Sequence, residues 1–129
     1  MPLYTVTTEE GSLSGKQRDQ ISAELVRIHT DVMHVPAHFV HSIFFTYPQR
    51  NGYIAEKNAG VASITAIIRA GHSSEEKVKL IKGIWGMFQN ITGASDSDLS
   101  VALQEVPASQ AMENGVIMPE IGRENGSAH

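Results

Sequence analysis

The sequence predicts an α/β fold of two tandem β-α-β units, forming one four-stranded mixed sheet with two helices on one face. Three observations predict it. The two halves align at an offset of 59 residues, each half carries a helix-capping signature at the aligned place, and each signature lies between two short strand-like runs. At 129 residues and 41% hydrophobic, the chain fits one domain, 1–129, with a modest core. The repeated units run over about residues 2–48 and 61–107, and the Gly-, Asn- and Ser-containing stretch 122–129 reads as a frayed tail.

The elements follow in order. Leu3-Tyr4-Thr5-Val6-Thr7 aligns with Ala62-Ser63-Ile64-Thr65-Ala66, and both are short alternating runs that read as strands. Ser14-x-x-Gln17 and Ser73-x-x-Glu76 match the capping box, in which two side chains satisfy the free N–H groups of a helix start. Behind them Ile21, Leu25, Ile28 and Val32 recur at helical spacing, as do Leu80, Ile84, Met87 or Phe88, and Ile91. These stripes read as core. Trp85 follows Ile84 and is expected at the core or a subunit boundary. The run from Phe39 to Phe45 precedes Pro48, and its counterpart from Asp98 to Gln104 precedes Pro107. A helix between two strands of one sheet implies a right-handed parallel crossover. Asn51-Gly52 ahead of Tyr53-Ile54-Ala55 predicts a turn and a short strand between the halves. Two helices on one face leave the other face bare, which points to an oligomer.

Composition narrows function. A net charge of −4, with ten scattered Lys and Arg, offers no basic field for nucleic acid. The absence of cysteine excludes a thiol nucleophile, a disulfide framework and a zinc-thiolate site. No apolar run approaches the ~20 residues of a membrane span, and no leader pattern opens the chain. A cytoplasmic protein acting on a small molecule is therefore expected.

The chemistry is sought first at Met1-Pro2. Once Met1 is removed, Pro2 carries a free secondary amine. An α-amino group titrates near pH ~8, and burial or nearby cations lower that value, so such an amine serves as a base near neutrality. A proline that merely begins an edge strand is the alternative. His29 falls four residues after Leu25 on the apolar stripe, and reads either as a satisfied core histidine or as a site residue. Arg69 ends an apolar strand, where parallel α/β sheets place ligands. Glu113 is placed in a loop. His34, His38 and His41 suggest a metal by spacing alone, but Pro36 interrupts the helix that would align the first two, so no metal is expected.

Pro2, His29 within Val26-Arg27-Ile28-His29-Thr30-Asp31, Arg69 closing Ile67-Ile68-Arg69, and Glu105-x-Pro107 followed by Glu113-x-Gly115 together resemble the tautomerase superfamily, in particular the cis-3-chloroacrylic acid dehalogenase group. The resemblance implies a tautomerase fold, assembly as a homotrimer, no cofactor, and a small carboxylate substrate. It implies Pro2, His29, Arg69 and Glu113 as catalytic residues and Arg69 as the carboxylate holder. Two family positions differ: His72 stands at that of a second arginine, and Ala102 at that of a water-activating tyrosine. His72 binds a carboxylate as a cation only when protonated. Enol–keto tautomerisation of a 2-oxo acid needs neither missing group and is the expected activity. Dehalogenase or hydratase activity and a non-catalytic trimeric scaffold are the alternatives.

Overall fold

The structure is a computed structural model and describes residues 1–122. Strand β1 (Leu3–Glu9) leads into helix α1 (Gly15–Met33), a 3-10 turn at Ala37–Phe39 and strand β2 (His41–Tyr47). The short strands β3 (Tyr53–Ile54) and β4 (Lys57–Asn58) form a hairpin. Then come β5 (Ala62–Arg69), α2 (Ser74–Thr92), β6 (Leu99–Val106), a 3-10 turn at Ala108–Gln110, and a second hairpin of β7 (Met112–Glu113) and β8 (Val116–Ile117). The main sheet has the order β2-β1-β5-β6, with β1 parallel to β2, β5 parallel to β6, and β1 antiparallel to β5. This is the α/β arrangement that the sequence predicts.

Both helices start on complete capping boxes, Ser14 with Gln17 and Ser73 with Glu76. Each ends on a left-handed residue, His34 at φ 58° and Gly93 at φ 76°, whose N–H closes on the carbonyl of Thr30 or Gln89. Ile21, Leu25, Ile28 and Val32 on one helix and Leu80, Ile84, Met87 and Phe88 on the other are buried against Tyr4, Val6, Ile64 and Ile68 of the sheet. Ile91 is only partly buried, near the end of α2. Trp85 packs partly on this core and donates from its indole to Asp96 at 3.2 Å.

The strand alignment needs one correction. The helices, second strands and hairpins of the two halves keep the 59-residue spacing, but the first strands do not. Tyr4 lies opposite Ser42, and Ile64 lies opposite Val101. Since Ser42 and Val101 are 59 apart, the residue equivalent to Tyr4 is Ile64, one position beyond the aligned Ser63. The connection from β1 to α1 is one residue longer than that from β5 to α2, and a one-residue slip exchanges the faces of a strand. Several boundaries also differ: β1 and β5 run on to Glu9 and Arg69, β2 ends at Tyr47, and β6 begins at Leu99. Phe39 belongs to the 3-10 turn set by Pro36, so β2 begins at His41, and β6 continues to Val106, just before Pro107. Of the tail predicted over 122–129, Gly122 lies in a turn and 123–129 fall outside the described residues.

The turn expected at Asn51-Gly52 lies two residues earlier, over 48–51, with Arg50 at φ 71° and the Asn51 N–H on the Pro48 carbonyl at 3.1 Å, and the short strand after it stops at Ile54, before Ala55 at φ 53°. The bare sheet face carries Ile43 and Phe45, 46% and 54% exposed, with Leu3 and Ile67 beside them on the inner strands.

Candidate active site

Because β1 is an interior strand, its first residues emerge in the middle of the sheet rather than at an edge, which corrects the edge-strand alternative for Pro2. Strand β5 runs the other way beside it. Leu3 pairs with Ile67, so the end of β5 brings Arg69 alongside the chain's start. Pro2 is fully buried, and its carbonyl accepts the His41 N–H at 3.1 Å. The proline ring lacks an N–H, and at this position just outside the ladder none is needed.

The Met1 amine is half-buried and forms an ion pair with the Glu113 carboxylate. Its pKa is lowered from the ordinary 8.0, chiefly because burial disfavours the charge and in smaller part because the Arg69 guanidinium repels it, while Glu113 acts in the opposite direction. Glu113 is not in a loop as the sequence reading has it. It lies on β7, opposite Val116, and the turn between them is Asn114-Gly115, with φ of 52° and 78°. Two residues are too few for strand alternation to register, although Asn-Gly is itself the signature of such a turn. The Met1 side chain packs over Ala108, Ala111 and Met118, the small apolar cluster under this hairpin.

Arg69 is 3% exposed, and its Nη1 donates to the Pro119 carbonyl at 2.6 Å. It is thus not the surface arginine that the end of a strand commonly carries. His72 sits in the β5–α2 connection with Nδ1 3.7 Å from Glu76 Oε1, the same oxygen that accepts the Ser73 cap N–H at 3.0 Å. Burial lowers the His72 pKa below the ordinary 6.5, so it is neutral at pH 7 despite Glu76. A cleft of about 200 Å³ opens here, lined by Arg69, His72, Glu76 and the end of α1 from Met33 to Val35. Glu105 holds the floor of this connection: Lys77 donates to it at 2.9 Å, and that hydrogen bond keeps its carboxyl below the usual range.

His29, late in α1, is 1% exposed, and its Nδ1 lies 2.7 Å from the Tyr4 hydroxyl. Its pKa is pushed down to about 3, first by burial and then by the nearby His72 and the chain's amine. His29 is thus a buried histidine with one ring nitrogen hydrogen-bonded, close enough to His72 and the chain's amine to feel their charge. Tyr4 was not singled out in the sequence. The available signal was a polar-tipped side chain on a helix-facing strand position and a histidine on the facing stripe, each needing a buried partner.

The remaining positions stay apart. Ala102 pairs with Thr65 on the bare face and is exposed. His34 caps α1, His38 stacks on Phe39 at 4.3 Å, and His41 is exposed on β2. Among the described residues no three His, Cys, Asp or Glu side chains are placed to hold a metal ion. No helix among them is long and apolar enough to cross a membrane.

Two β-α-β units in one mixed sheet, with a buried proline start beside a buried arginine, define a protein of the tautomerase superfamily. Residues 1–129 match the Tautomerase_3 family, described as "Putative oxalocrotonate tautomerase enzyme", and the chain belongs to that family. Among solved structures, native Ps01740 is 32% identical, with a TM-score of 0.84, over 86% of this chain and 99% of its own. N1, a member of the cis-3-chloroacrylic acid dehalogenase family, is 25% identical, with a TM-score of 0.90, over 96% of this chain and 88% of its own. A fused 4-OT described as a symmetric trimer shares the fold, with a TM-score of 0.81 at 20% identity over 89% of this chain and 94% of its own. No curated protein matches the chain.

Proposed function

We propose that the protein is a cofactor-independent tautomerase that interconverts the enol and keto forms of a 2-oxo acid, with the Pro2 nitrogen as the proton carrier once Met1 is removed. The observation that carries this reading is the convergence of the chain's start, Arg69 and Glu113 at the end of β5, where burial lowers the pKa of the Met1 amine. An amine with a lowered pKa is unprotonated over more of the neutral range, and accepts and returns a proton at carbon. Arg69 holds the substrate carboxylate, and His29 and Glu113 position the substrate or its water. His72, neutral at pH 7, contributes hydrogen bonding rather than charge. Hydration or dehalogenation is less supported, because Ala102 offers no hydroxyl to help Glu113 activate water.

The test is ketonisation of phenylenolpyruvate, followed by ultraviolet absorbance, in protein lacking Met1. Pro2→Ala retains a primary amine but loses the ring, and kcat should fall at least about tenfold, with the 10²–10⁴ that a positioned base contributes as the upper range of the loss. An unchanged rate in this variant sinks the assignment to Pro2.

Trimeric assembly belongs to the same reading. It would cover Ile43 and Phe45 on the bare face and the exposed hairpin residues Tyr53, Met112, Val116 and Ile117. Light scattering after size-exclusion chromatography should give three times the chain mass of 14.0 kDa, and a stable single-chain mass would overturn it.

A further inference from the structure

We propose that Tyr4 is a positioning residue: its phenol O–H donates to His29 Nδ1, locks the ring in the Nε2–H tautomer, and makes His29 a neutral hydrogen-bond donor toward the site.

The argument is one of satisfying buried groups. Tyr4 is 0% exposed and His29 1% exposed, and the 2.7 Å contact is the only side-chain hydrogen bond that either makes among the described residues. A phenol carries one proton, and a buried O–H needs an acceptor. Among the described residues the acceptor in reach is the Nδ1 lone pair, which puts the ring proton on Nε2. The opposite arrangement, with Nδ1–H donating to the phenol oxygen, would leave both the phenol hydrogen and the Nε2 lone pair without a partner, whereas this one leaves only the Nε2–H, which a ligand oxygen can accept. The phenol does not escape by ionising, because burial pushes its pKa up. The ring does not escape by protonating either, because burial, His72 and the chain's amine all oppose a second proton.

The fold does not require this pair. In the second half the equivalent of Tyr4 is Ile64 and the equivalent of His29 is Phe88, both buried, so an apolar pair fills the corresponding place. The group in contact with His29 is Tyr4 from β1, and the charges near enough to act on the ring are His72 in the β5–α2 connection and the amine at the chain's start. The last two lie on the side of the proposed site. A neutral Nε2–H there suits an enolate or carboxylate oxygen, since a preorganised donor stabilises charge where it develops. This catalytic use rests on the tautomerase reading, whereas the tautomer itself does not.

The experiment is a long-range proton–nitrogen correlation spectrum of protein labelled with ¹⁵N-histidine, from pH 5 to 8, on the wild type and Tyr4→Phe. Expected for the wild-type His29 is a protonated Nε2, an unprotonated Nδ1 and no titration across the range. In Tyr4→Phe, which preserves the ring packing, the Nδ1 resonance should move or the tautomers should mix, and ketonisation kcat should fall about tenfold with KM less affected. A protonated Nδ1 in the wild type overturns the tautomer assignment whether or not the protein is an enzyme. An unchanged kcat in a Tyr4→Phe variant with altered His29 resonances overturns the positioning role. If the wild type shows no ketonisation at all, the functional reading fails while the spectrum still decides the tautomer.

Discussion

Arg69→Ala should raise KM for a 2-oxo acid by roughly 10- to 100-fold. A hydrogen bond to a charged group is worth about 1.5–3 kcal/mol, and each ~1.4 kcal/mol is a factor of ten. The guanidinium is 3% exposed and lies alongside the chain's start through the Leu3–Ile67 register, so no solvent-exposed cation can replace it without rearrangement. Arg69→Lys keeps the charge but loses the planar fork that grips a carboxylate, and should fall between wild type and alanine. Removal of Arg69 also leaves the Pro119 carbonyl without that donor, so each variant's melting temperature must be compared before the kinetics are read. A KM unchanged for a carboxylate substrate would remove Arg69 from the binding role.

The same substitution carries a pH signature. The active form of the amine is unprotonated, so kcat/KM rises as pH passes upward through the amine's pKa in the free enzyme. At the Met1 amine, which occupies this place before removal, burial lowers the pKa below 8.0 and Arg69 adds to the lowering, and the Pro2 amine is expected to meet the same guanidinium. Loss of the guanidinium leaves burial in place, so the rising limb should move only modestly, and toward higher pH. A move toward lower pH would mean that Arg69 does not act on the amine.

How much of this was legible depended on which residues had local signals. Ser14 with Gln17 and Ser73 with Glu76 announce both helices, because capping is local hydrogen bonding that four residues specify. The stripe from Ile21 to Val32 announces its own burial for the same reason. The strand faces were less legible: alignment at 59 residues put Tyr4 opposite Ser63, and only the cross-strand pairing reveals Ile64 as its equivalent. Nothing local reports a one-residue difference in a connecting loop. The site divided in the same way. Pro2 and Arg69 stand at recognisable places, the start of the chain and the end of a strand, but their adjacency comes from the antiparallel pairing of β1 with β5, which joins residues more than sixty apart. Glu113 was named through its surrounding pattern, and its strand was missed. Tyr4 was missed because its partner is twenty-five residues away on another element.

Removal of Met1 should switch activity by about 10²–10⁴, the contribution of a well-placed base. With Met1 attached, the Pro2 nitrogen belongs to an amide and has no basic lone pair, while the Met1 amine is engaged by Glu113 and the Met1 side chain covers Ala108, Ala111 and Met118. Both the base and the space around it are then taken. Removal exposes a secondary amine one residue further in, on a residue that is fully buried while Met1 covers it, and burial and Arg69 are expected to act on it in the direction in which they act on the Met1 amine. It also frees Glu113 from its ion pair, so that the carboxylate can turn to substrate or water. The measurement is ketonisation by protein whose intact mass shows Met1 in place, before and after treatment with an aminopeptidase that removes it. A rate that rises in proportion to the fraction of chains starting at Pro2 is the expected result. Equal rates at both masses would place the proton carrier elsewhere and return Pro2 to a structural role at the head of β1.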